Sequence, residues 1–445
     1  MSEKKNERLK NLDKEILWHP FTQMKEYASE ENLLIEKGEG NYLIDSEGNR
    51  YLDGTASLWV NVHGHRKKEI DEALKAQIDK IAHTTLLGIA SAPSIELAEK
   101  LIQIAPRGES QESTLNHVFY SDNGSTAVEV ALKIAFEYWQ LKGRSTKQKF
   151  VSFLDAYHGD TLGAVSVGHI ELFHEIYRPL LFKTFQAPSP QNLDCLVWLE
   201  NLFKEKSEEI AACIIEPLLQ AAGGMIVQPV GFLKKLEKLC RKYEILLIAD
   251  EVATGFGRTG KMFACEQEQV VPDLLCIAKG LTAGYLPLAA TLTSSEIYQA
   301  FLGDYSQFKA FFHGHSYTGN ALGCAVALAN LEIFENEKVL EKLPEKIRAM
   351  KESLQSLNSN SHVKEIRQCG LMAGIELVRD KQKGDAYPSE ERIGHQVILA
   401  ARRRGIILRP LGSVIVLFPP LSINLEEIKT MVQVLKESIE EVCGA

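Results

Sequence analysis

ILLIADE, residues 245–251, is the stretch of sequence that decides the fold of this chain. Five apolar residues run without alternation and end in two carboxylates, Asp250 and Glu251. A continuous apolar run of this length is typical of a strand that is covered on both faces, as in a parallel sheet. The stretch before it, residues 232–243, has apolar residues at helical spacing, so we expect a helix to lead into this strand.

Similar runs occur on both sides of this stretch. We expect strands at residues 116–120, 150–154, 211–215 and 274–278, and a helix that follows Ser125. Strands that alternate with helices are typical of α/β proteins with a parallel sheet. The sequence therefore predicts a large α/β domain that is built on a mostly parallel sheet.

The pattern changes after about residue 330. A charged helical stretch (331–358) is followed by short strands and by a last helix, for which Asn424 and Glu427 form a capping pattern. The chain of 445 residues is long enough for two domains. We expect residues 66–330 to form the large domain, and residues 331–445 to form a smaller α+β domain that includes the N-terminal segment 1–65.

Composition and charge narrow the class of protein. The net charge is −9, and the basic residues are scattered, which argues against a nucleic-acid partner. No apolar run approaches the roughly 18 residues that a membrane span needs. The eight cysteines show no CxxC spacing, and the N-terminal stretch is charged. We therefore expect a cytoplasmic protein that does not bind a membrane.

Candidate ligand-binding residues follow the predicted strands, because open α/β sheets bind ligands beyond the carboxyl ends of their strands. Gly124 and Ser125 stand where a helix begins, and the free N–H groups of a helix N-terminus favour a phosphate. A glycine before a capped helix is also common without any ligand. Tyr157 follows the run 150–154, where its ring can lie on a planar cofactor or pack in the core.

Two further strand ends carry charged residues. A buried carboxylate such as Asp250 needs a positive partner, which can be a helix N-terminus, a salt bridge or a protonated pyridine nitrogen. Lys279 follows five apolar residues, and an amine in a cleft can form a Schiff base with an aldehyde, although a surface lysine is the simpler alternative. Gly124-Ser125, Asp250 and Lys279 together match the phosphate, the ring nitrogen and the aldehyde of pyridoxal phosphate. The combination predicts that cofactor.

Two HxH elements invite a metal interpretation. They are His63-Gly64-His65 and His313-Gly314-His315. Neither has a carboxylate or a cysteine at a matching spacing, and histidines beside glycine are common in loops. We therefore predict no metal site.

The same residues carry a family resemblance over nearly the whole chain. The segment DEVATGFGRTG (250–260) and Lys279-Gly280 resemble the class III (ornithine/GABA type) aminotransferases, which have the type I fold of pyridoxal-phosphate-dependent transferases. Within this family, the chain is similar to the 7,8-diaminopelargonic acid synthases of biotin biosynthesis, of the bacillus type. The segments that carry this closer similarity are WHPFTQM (18–24), YHGDT (157–161), HGHSYTGN (313–320) and RPLG (409–412).

The resemblance implies a role for each candidate residue. Lys279 would hold pyridoxal phosphate and move the proton, and Asp250 would bind the pyridine nitrogen. Gly124 and Ser125 would bind the phosphate, and Tyr157 would lie against the ring. His315 and Ser316 would reach the phosphate from a neighbouring subunit, which implies a homodimer with shared active sites.

The resemblance also implies the substrates. The reaction would convert 8-amino-7-oxononanoate to 7,8-diaminononanoate, with Arg409 paired to the carboxylate of the acceptor. Phe21, Trp59 and Gly314 would line the substrate site.

The sequence departs from the commoner pattern of these synthases at several positions. Leu58 stands where many of them have a second tryptophan, Phe21 replaces a tyrosine, and His315-Ser316 replaces Pro-Thr. The amino donor is therefore either S-adenosylmethionine or L-lysine, and the departures in the substrate pocket favour L-lysine.

Other interpretations stay open at this stage. One is another class III enzyme that acts on an ω-amino acid such as ornithine, GABA or β-alanine, although Trp18-His19-Pro20 and Arg409 argue against it. Another is a non-catalytic ligand-binding protein with this fold, although the presence of both Asp250 and Lys279 argues against it. A third, more remote alternative is a metal-dependent lyase that uses the HxH elements.

Overall fold

A computed structural model describes residues 3–444 of the chain as a set of helices packed on several sheets. The strands are β1 (Ile35–Glu39), β2 (Tyr42–Asp45), β3 (Arg50–Asp53), β4 (Leu115–Ser121), β5 (Lys149–Phe153), β6 (Phe185–Ala187), β7 (Ile210–Ile215), β8 (Leu219–Gln220), β9 (Ile226–Val227), β10 (Leu246–Asp250), β11 (Leu274–Ile277), β12 (Ala289–Ser294), β13 (Val363–Cys369), β14 (Met372–Leu377), β15 (Ile406–Ile407), β16 (Arg409–Leu411) and β17 (Val414–Leu417).

The helices pack on these sheets. They are α1 (Glu3–Ile16), α2 (Met24–Tyr27), α3 (Ala56–Trp59), α4 (Lys68–Ile78), α5 (Ala92–Ile104), α6 (Gly124–Leu141), α7 (Leu162–Val167), α8 (Glu171–His174), α9 (Asp194–Lys206), α10 (Phe232–Lys242), α11 (Ser295–Ala300), α12 (Ala321–Asn336), α13 (Val339–Leu354), α14 (Ile393–Arg403) and α15 (Leu425–Cys443). Among residues 3–444, no helix is both long enough and apolar enough to cross a membrane.

The central sheet has the strand order β4-β12-β11-β10-β7-β5-β6. Strand β12 is antiparallel to both of its neighbours, and the other pairings are parallel. This confirms the prediction of an α/β fold with a mostly parallel sheet. The sequence pattern does not predict β12, because its threonines suggest a solvated strand. In the structure these hydroxyls are buried and donate to carbonyls, Thr291 to Ala127 at 2.8 Å and Thr293 to Asp273 at 3.1 Å.

The unbroken apolar runs are explained by the two covered faces of this sheet. In β10, Leu246 and Ile248 pack in the core that contains α6, while Leu247 and Ala249 pack in the core on the other face. Successive side chains of a strand point to opposite faces, so a strand with helices on both sides must be apolar at every position.

Two smaller sheets join distant parts of the chain. One has the order β1-β2-β3-β15, in which β15 near the C-terminus lies parallel to β3. The other has the order β13-β14-β17-β16. The predicted cap of the last helix is confirmed, because the side chain of Asn424 accepts the N–H of Glu427, whose carboxylate accepts the N–H of Asn424. The pairing of β15 with β3 brings the N-terminal segment and the C-terminal part of the chain into one sheet.

The predicted domain boundaries remain predictions. Residue 330 falls inside α12 rather than between elements. The charged stretch 331–358, predicted as one helical stretch, contains the end of α12 and the whole of α13. The helices are separated at Lys338, which has a left-handed backbone with φ of 51°.

Candidate active site

A cleft of about 490 Å³ lies at the carboxyl edge of the central sheet. Residues that follow β4, β5, β7, β10 and β11 line it, as the rule for open α/β sheets predicts. The predicted site residues that the structure brings together here are Phe21, Trp59, Gly124, Ser125, Tyr157, Asp250, Lys279 and Arg409.

The N-terminus of α6 forms one end of the cleft. Asn123 caps this helix by accepting the N–H of Thr126 at 3.1 Å. The N–H groups of Gly124 and Ser125 belong to the first turn, where helical backbone partners are lacking. A side chain at Gly124 would place its Cβ 2.6 Å from the side chain of Val252, so only glycine fits. This end of the cleft can bind an anion such as a phosphate.

Asp250 lies at the end of β10 and is almost fully buried. Its Oδ2 is 2.7 Å from Nδ1 of the buried His158, and its Oδ1 accepts the backbone N–H of Val252 at 3.0 Å. These bonds fix the carboxylate and leave it lone pairs for a further donor. The sequence pattern predicts Asp250 but does not single out His158, which lies in the segment YHGDT (157–161).

Lys279 follows β11, and its Nζ lies 4.8 Å from the ring centre of Trp59. Burial lowers the pKa of Lys279 to about 8, while Asp250 and Glu216 act in the opposite direction. A neutral amine is therefore available near that pH. Since only the neutral amine attacks a carbonyl, this environment favours a nucleophilic or proton-transfer role.

Glu216 is a further cleft residue, which was not among the predicted site residues. It follows β7, is buried, and accepts the N–H groups of Tyr157 at 3.1 Å and Ala221 at 2.9 Å. Burial raises the pKa of Glu216 to about 7, and nearby His158 partly offsets this effect. Asp250 was predicted because it is a carboxylate that follows a buried apolar run. Glu216 follows the apolar run 211–215 in the same way, so the same signal could have identified it.

Aromatic side chains form part of the wall of the cleft. The ring of Trp59 is buried and stacks on Phe418, with 5.2 Å between the ring centres. Phe21 is exposed and meets Phe173 edge-on at 5.4 Å. Leu58 also lines the cleft, and it is 46% exposed. The wall is therefore apolar and open to solvent on the side of Phe21 and Leu58.

Arg409 reaches the cleft from β16, in one of the smaller sheets. It is half-buried, and burial lowers the pKa of its guanidinium, an effect that the nearby Tyr157 opposes. Among the residues that the structure describes, Arg409 is the arginine of the cleft wall and has no carboxylate in ion-pair contact. A half-buried guanidinium without an acidic partner favours a ligand that carries a carboxylate.

Three predicted residues do not line the cleft of this chain. Gly314 and Ser316 are exposed, and the carbonyl of Ser316 lies 2.8 Å from Nε2 of His83. His315 lies 3.2 Å from the carboxylate of Asp122, which itself lines the cleft. The segment therefore lies beside the cleft, and a contribution to a neighbouring subunit stays a prediction.

The histidines of the first HxH element lie in hydrogen-bond networks. His63 Nε2 is 2.8 Å from Asn330 Oδ1, and His65 Nε2 is 3.0 Å from Asp53 Oδ2. Within residues 3–444, no group of three or more His, Cys, Asp or Glu side chains is arranged to hold a metal ion.

Comparison with known proteins connects this geometry to a family. The chain is 53% identical to the adenosylmethionine-8-amino-7-oxononanoate aminotransferase of Geobacter sulfurreducens, with 98% of each chain covered. The crystal structure of the enzyme of the same name from Methanocaldococcus jannaschii superposes with a TM-score of 0.95 at 48% identity, covering 98% of this chain and 99% of that one.

A more distant solved structure is the omega transaminase from Pseudomonas jessenii in complex with PMP. It superposes with a TM-score of 0.92 at 31% identity and covers 98% of this chain and 99% of that one. Residues 24–439 match the family described as aminotransferase class-III. The predicted resemblance is thereby confirmed, and the chain belongs to the class-III aminotransferase family.

Proposed function

We propose that this chain is a pyridoxal-phosphate-dependent transaminase that converts 8-amino-7-oxononanoate to 7,8-diaminononanoate, a step of biotin biosynthesis. The observation that carries the proposal is the convergence of Lys279, Asp250, the N-terminus of α6 and Arg409 on one cleft. The identity of 53% to an enzyme named for this acceptor supports the choice of substrate.

Class III aminotransferases use pyridoxal phosphate, and the groups of the cleft fit this cofactor. The first turn of α6 would hold the phosphate, with the hydroxyl of Ser125 beside it. The Asp250 carboxylate would hold the protonated ring nitrogen, and Tyr157 would flank the ring. The Lys279 amine would hold the aldehyde carbon. The absence of a side chain at Gly124 keeps the helix N-terminus accessible.

When bound, pyridoxal phosphate supplies an aldehyde that takes up amino groups and a ring that stabilises negative charge on the adjacent carbon. The Asp250 carboxylate keeps the ring nitrogen protonated, and the N–H of His158 holds that carboxylate in place. The neutral amine of Lys279 would take a proton from the amino-bearing carbon of the donor and deliver it to the former aldehyde carbon of the cofactor, acting first as a general base and then as a general acid. The stacked rings of Trp59 and Phe418 exclude water from this face.

The acceptor has a carboxylate at one end of a long aliphatic chain and the reacting ketone near the other end. Arg409 can bind the carboxylate through two parallel N–H donors. The apolar wall around Leu58 and Trp59 suits the aliphatic chain. This match between one cation, an apolar wall and a nucleophilic lysine favours the nonanoate over a short ω-amino acid.

We propose L-lysine as the amino donor. Aromatic walls bind a sulfonium and an adenine by stacking and cation–π contacts, and Leu58 replaces one such wall here. Phe21 has no hydroxyl to donate and contacts Phe173 instead. The names of the relatives favour S-adenosylmethionine, so the donor has to be decided by experiment.

The assembly and the location complete the proposal. A homodimer in the cytoplasm would let His315 and Ser316 of one subunit reach the phosphate site of the other. In support, exposed apolar side chains flank these residues, with Phe312 71% and Tyr317 63% exposed. A dimer would bury this surface.

The function is tested by assaying the purified protein with 8-amino-7-oxononanoate and a panel of donors: L-lysine, S-adenosylmethionine, ornithine, GABA and β-alanine. We expect 7,8-diaminononanoate to form with L-lysine. Formation with S-adenosylmethionine alone would correct the donor and leave the acceptor assignment in place. Turnover of an ω-amino acid with a common oxo acid, but none of the nonanoate, would contradict the proposed function.

A further inference from the structure

The motif His63-Gly64-His65 lies close to the cleft without lining it. We propose that it positions the two turns that face each other across the active site. His63 acts through Asn330 on the turn of Lys279, and His65 acts through Asp53 on the turn of Trp59. This inference rests on the proposed role of Lys279, and it assigns a function to a motif outside the catalytic residues.

The first arm of this network leads from His63 to the turn 279–283, which contains Lys279 and is called the lysine turn below. Asn330 lies in α12, is fully buried, and donates its Nδ2 hydrogens to the carbonyls of Gly280 and Leu281, each at 2.9 Å. Its Oδ1 is therefore the acceptor that faces His63 at 2.8 Å, so Nε2 of His63 carries the hydrogen. Burial lowers the pKa of His63 to about 4. The imidazole is thus a neutral donor at physiological pH.

The lysine turn needs such support because its backbone is strained. Lys279 has φ of 45°, and Ala283, at the end of the same turn, has φ of 51°. A non-glycine residue with a φ in this range is strained and persists only where its surroundings hold it. The two carbonyls that Asn330 binds lie directly after Lys279. Asn330, fixed by His63, therefore holds the backbone that aims the amine.

The second arm leads from His65 to the turn 56–59, which contains Ser57 and Trp59 and is called the tryptophan turn below. Asp53 is fully buried and accepts the backbone N–H of Ser57 at 2.8 and 2.9 Å as well as the N–H of His65. Burial alone would raise the pKa of Asp53, but the hydrogen bonds from His65 and Ser57 outweigh it and lower that pKa. The turn is again strained, with positive φ at Ala56, Ser57 and Trp59.

The two arms meet where the chemistry takes place. The Lys279 amine lies 4.8 Å from the ring centre of Trp59, so the relative position of the two turns sets the space between them. Gly64 joins the arms. It has φ of 84°, and a Cβ there would lie 2.8 Å from the carbonyl oxygen of Gly40, so the motif requires glycine between its histidines.

The test compares His63→Phe and His65→Phe in the holoenzyme. Each variant keeps the ring and removes the N–H donor. We expect His63→Phe to lower kcat by about tenfold to hundredfold with little change in KM, as for a misplaced catalytic group. His65→Phe should mainly raise KM, because the Trp59 turn lines the substrate side of the cleft. His63→Gln and His65→Gln, which retain an N–H donor, should recover part of each loss.

The matched control is His117→Phe. His117 is half-buried, bonds Ser295 and stacks on Tyr298 away from the cleft, so this variant should keep both constants. The inference would be overturned if kcat and KM changed to the same extent in both motif variants. It would also be overturned if the glutamine variants recovered none of the loss. Should His63→Phe not fold, Asn330→Asp replaces it, because the change removes both donors to the turn and must reproduce the loss of kcat.

A second readout uses the cofactor-free protein, in which reductive methylation of Lys279 is followed by peptide mass spectrometry as a function of pH. Labelling should be half-maximal near pH 8 in the wild type and shift upward, toward 10.5, in His63→Phe. An unchanged profile would overturn the inference. Failure of the proposed role of Lys279 would look different, because the holoenzyme would then carry its cofactor on another lysine.

Discussion

Asp250 and Lys279 are the residues on which the proposed chemistry depends, and their surroundings differ. The Asp250 carboxylate is held in place by His158 and by the backbone N–H of Val252. The Lys279 side chain is half-buried against Trp59, and burial lowers the pKa of its amine, which favours the neutral form. A fixed carboxylate beside an amine whose pKa is lowered to about 8 is an arrangement that suits a proton-transfer centre.

The first prediction concerns the charge of Asp250. Asp250→Asn keeps the shape and removes the charge, so we expect kcat to fall by about 10²- to 10³-fold in a folded protein. Glu251→Gln is the matched control, because Glu251 is the next residue but bonds Ala264 and Cys265 rather than lining the cleft. It should lower stability and leave kcat unchanged. Steady-state kinetics and thermal unfolding of both variants check this, and near-wild-type turnover of Asp250→Asn would refute the role.

The second prediction concerns pH and the stability of the cofactor-free protein. The pKa of Lys279 is lowered to about 8 in the folded state from an ordinary value of 10.5, so the unfolded chain binds more protons between these values. The free energy of unfolding of the wild type, relative to Lys279→Met, should therefore rise by about 2–3 kcal/mol from pH 8 to 10.5. Below pH 8 the difference should stay constant. Urea unfolding at several pH values measures it, and a flat difference throughout would show that the amine is not desolvated.

For single residues, the sequence pattern predicts the charged residues that follow buried apolar runs, but it does not predict their hydrogen-bond partners. Asp250 and Lys279 were predicted because a charge after an apolar run needs an explanation. His158 forms a hydrogen bond with Asp250, which lies 92 residues away in the chain, and no local sequence pattern predicts that contact. Asn330 lies in a helix whose sequence reads as ordinary core, and only the tertiary structure shows that it binds the lysine turn.

At the scale of elements, the N-terminus of α6 carries the third prediction. Gly124→Ala would place a methyl group 2.6 Å from Val252, and such overpacking costs about 1–3 kcal/mol. We expect the affinity for pyridoxal phosphate to fall by about tenfold to hundredfold, because the displaced helix no longer presents its N–H groups. Gly323→Ala in α12 is the control, since its nearest neighbour would be 3.5 Å away. Titration of cofactor-free protein measures both, and equal affinities would contradict the assignment of the phosphate site.

Strands and helices could be predicted where the buried residues are all apolar, and less well where buried residues are polar. Strands β7, β10 and β11 are buried on both faces, and their apolar runs predicted them. Strand β12 is also buried, but its threonines satisfy their hydroxyls by bonding carbonyls, which a pattern of polarity cannot show. The break at Lys338 between α12 and α13 has no proline or glycine to mark it.

At the scale of the molecule, the cleft joins the central sheet to a smaller sheet. Arg409 on β16 provides the cation, and the strand ends of the central sheet provide the other groups. Sequence patterns predicted both parts, but not the contact between them, because residues far apart in the chain meet only after folding.

The fourth prediction concerns Arg409, which the smaller sheet contributes to the cleft. Arg409→Ala should lower kcat/KM for 8-amino-7-oxononanoate by an amount equivalent to about 2–4 kcal/mol, through loss of a bidentate charged pair. The half-reaction with the donor should suffer less. Arg404→Ala, which removes a surface ion pair with Glu441, is the control and should leave both half-reactions unchanged. Equal damage to both half-reactions in Arg409→Ala would argue against a specific role in binding the acceptor.

The central claim is that the cleft is a pyridoxal-phosphate transaminase centre built around Lys279. The most direct measurement is borohydride reduction of the holoenzyme followed by peptide mapping, with Lys279→Ala as the comparison. The account predicts that the pyridoxyl group is found on the peptide that contains Lys279, and that no lysine is labelled in the variant. A label on any other lysine of the wild type, or the absence of a label, would contradict it.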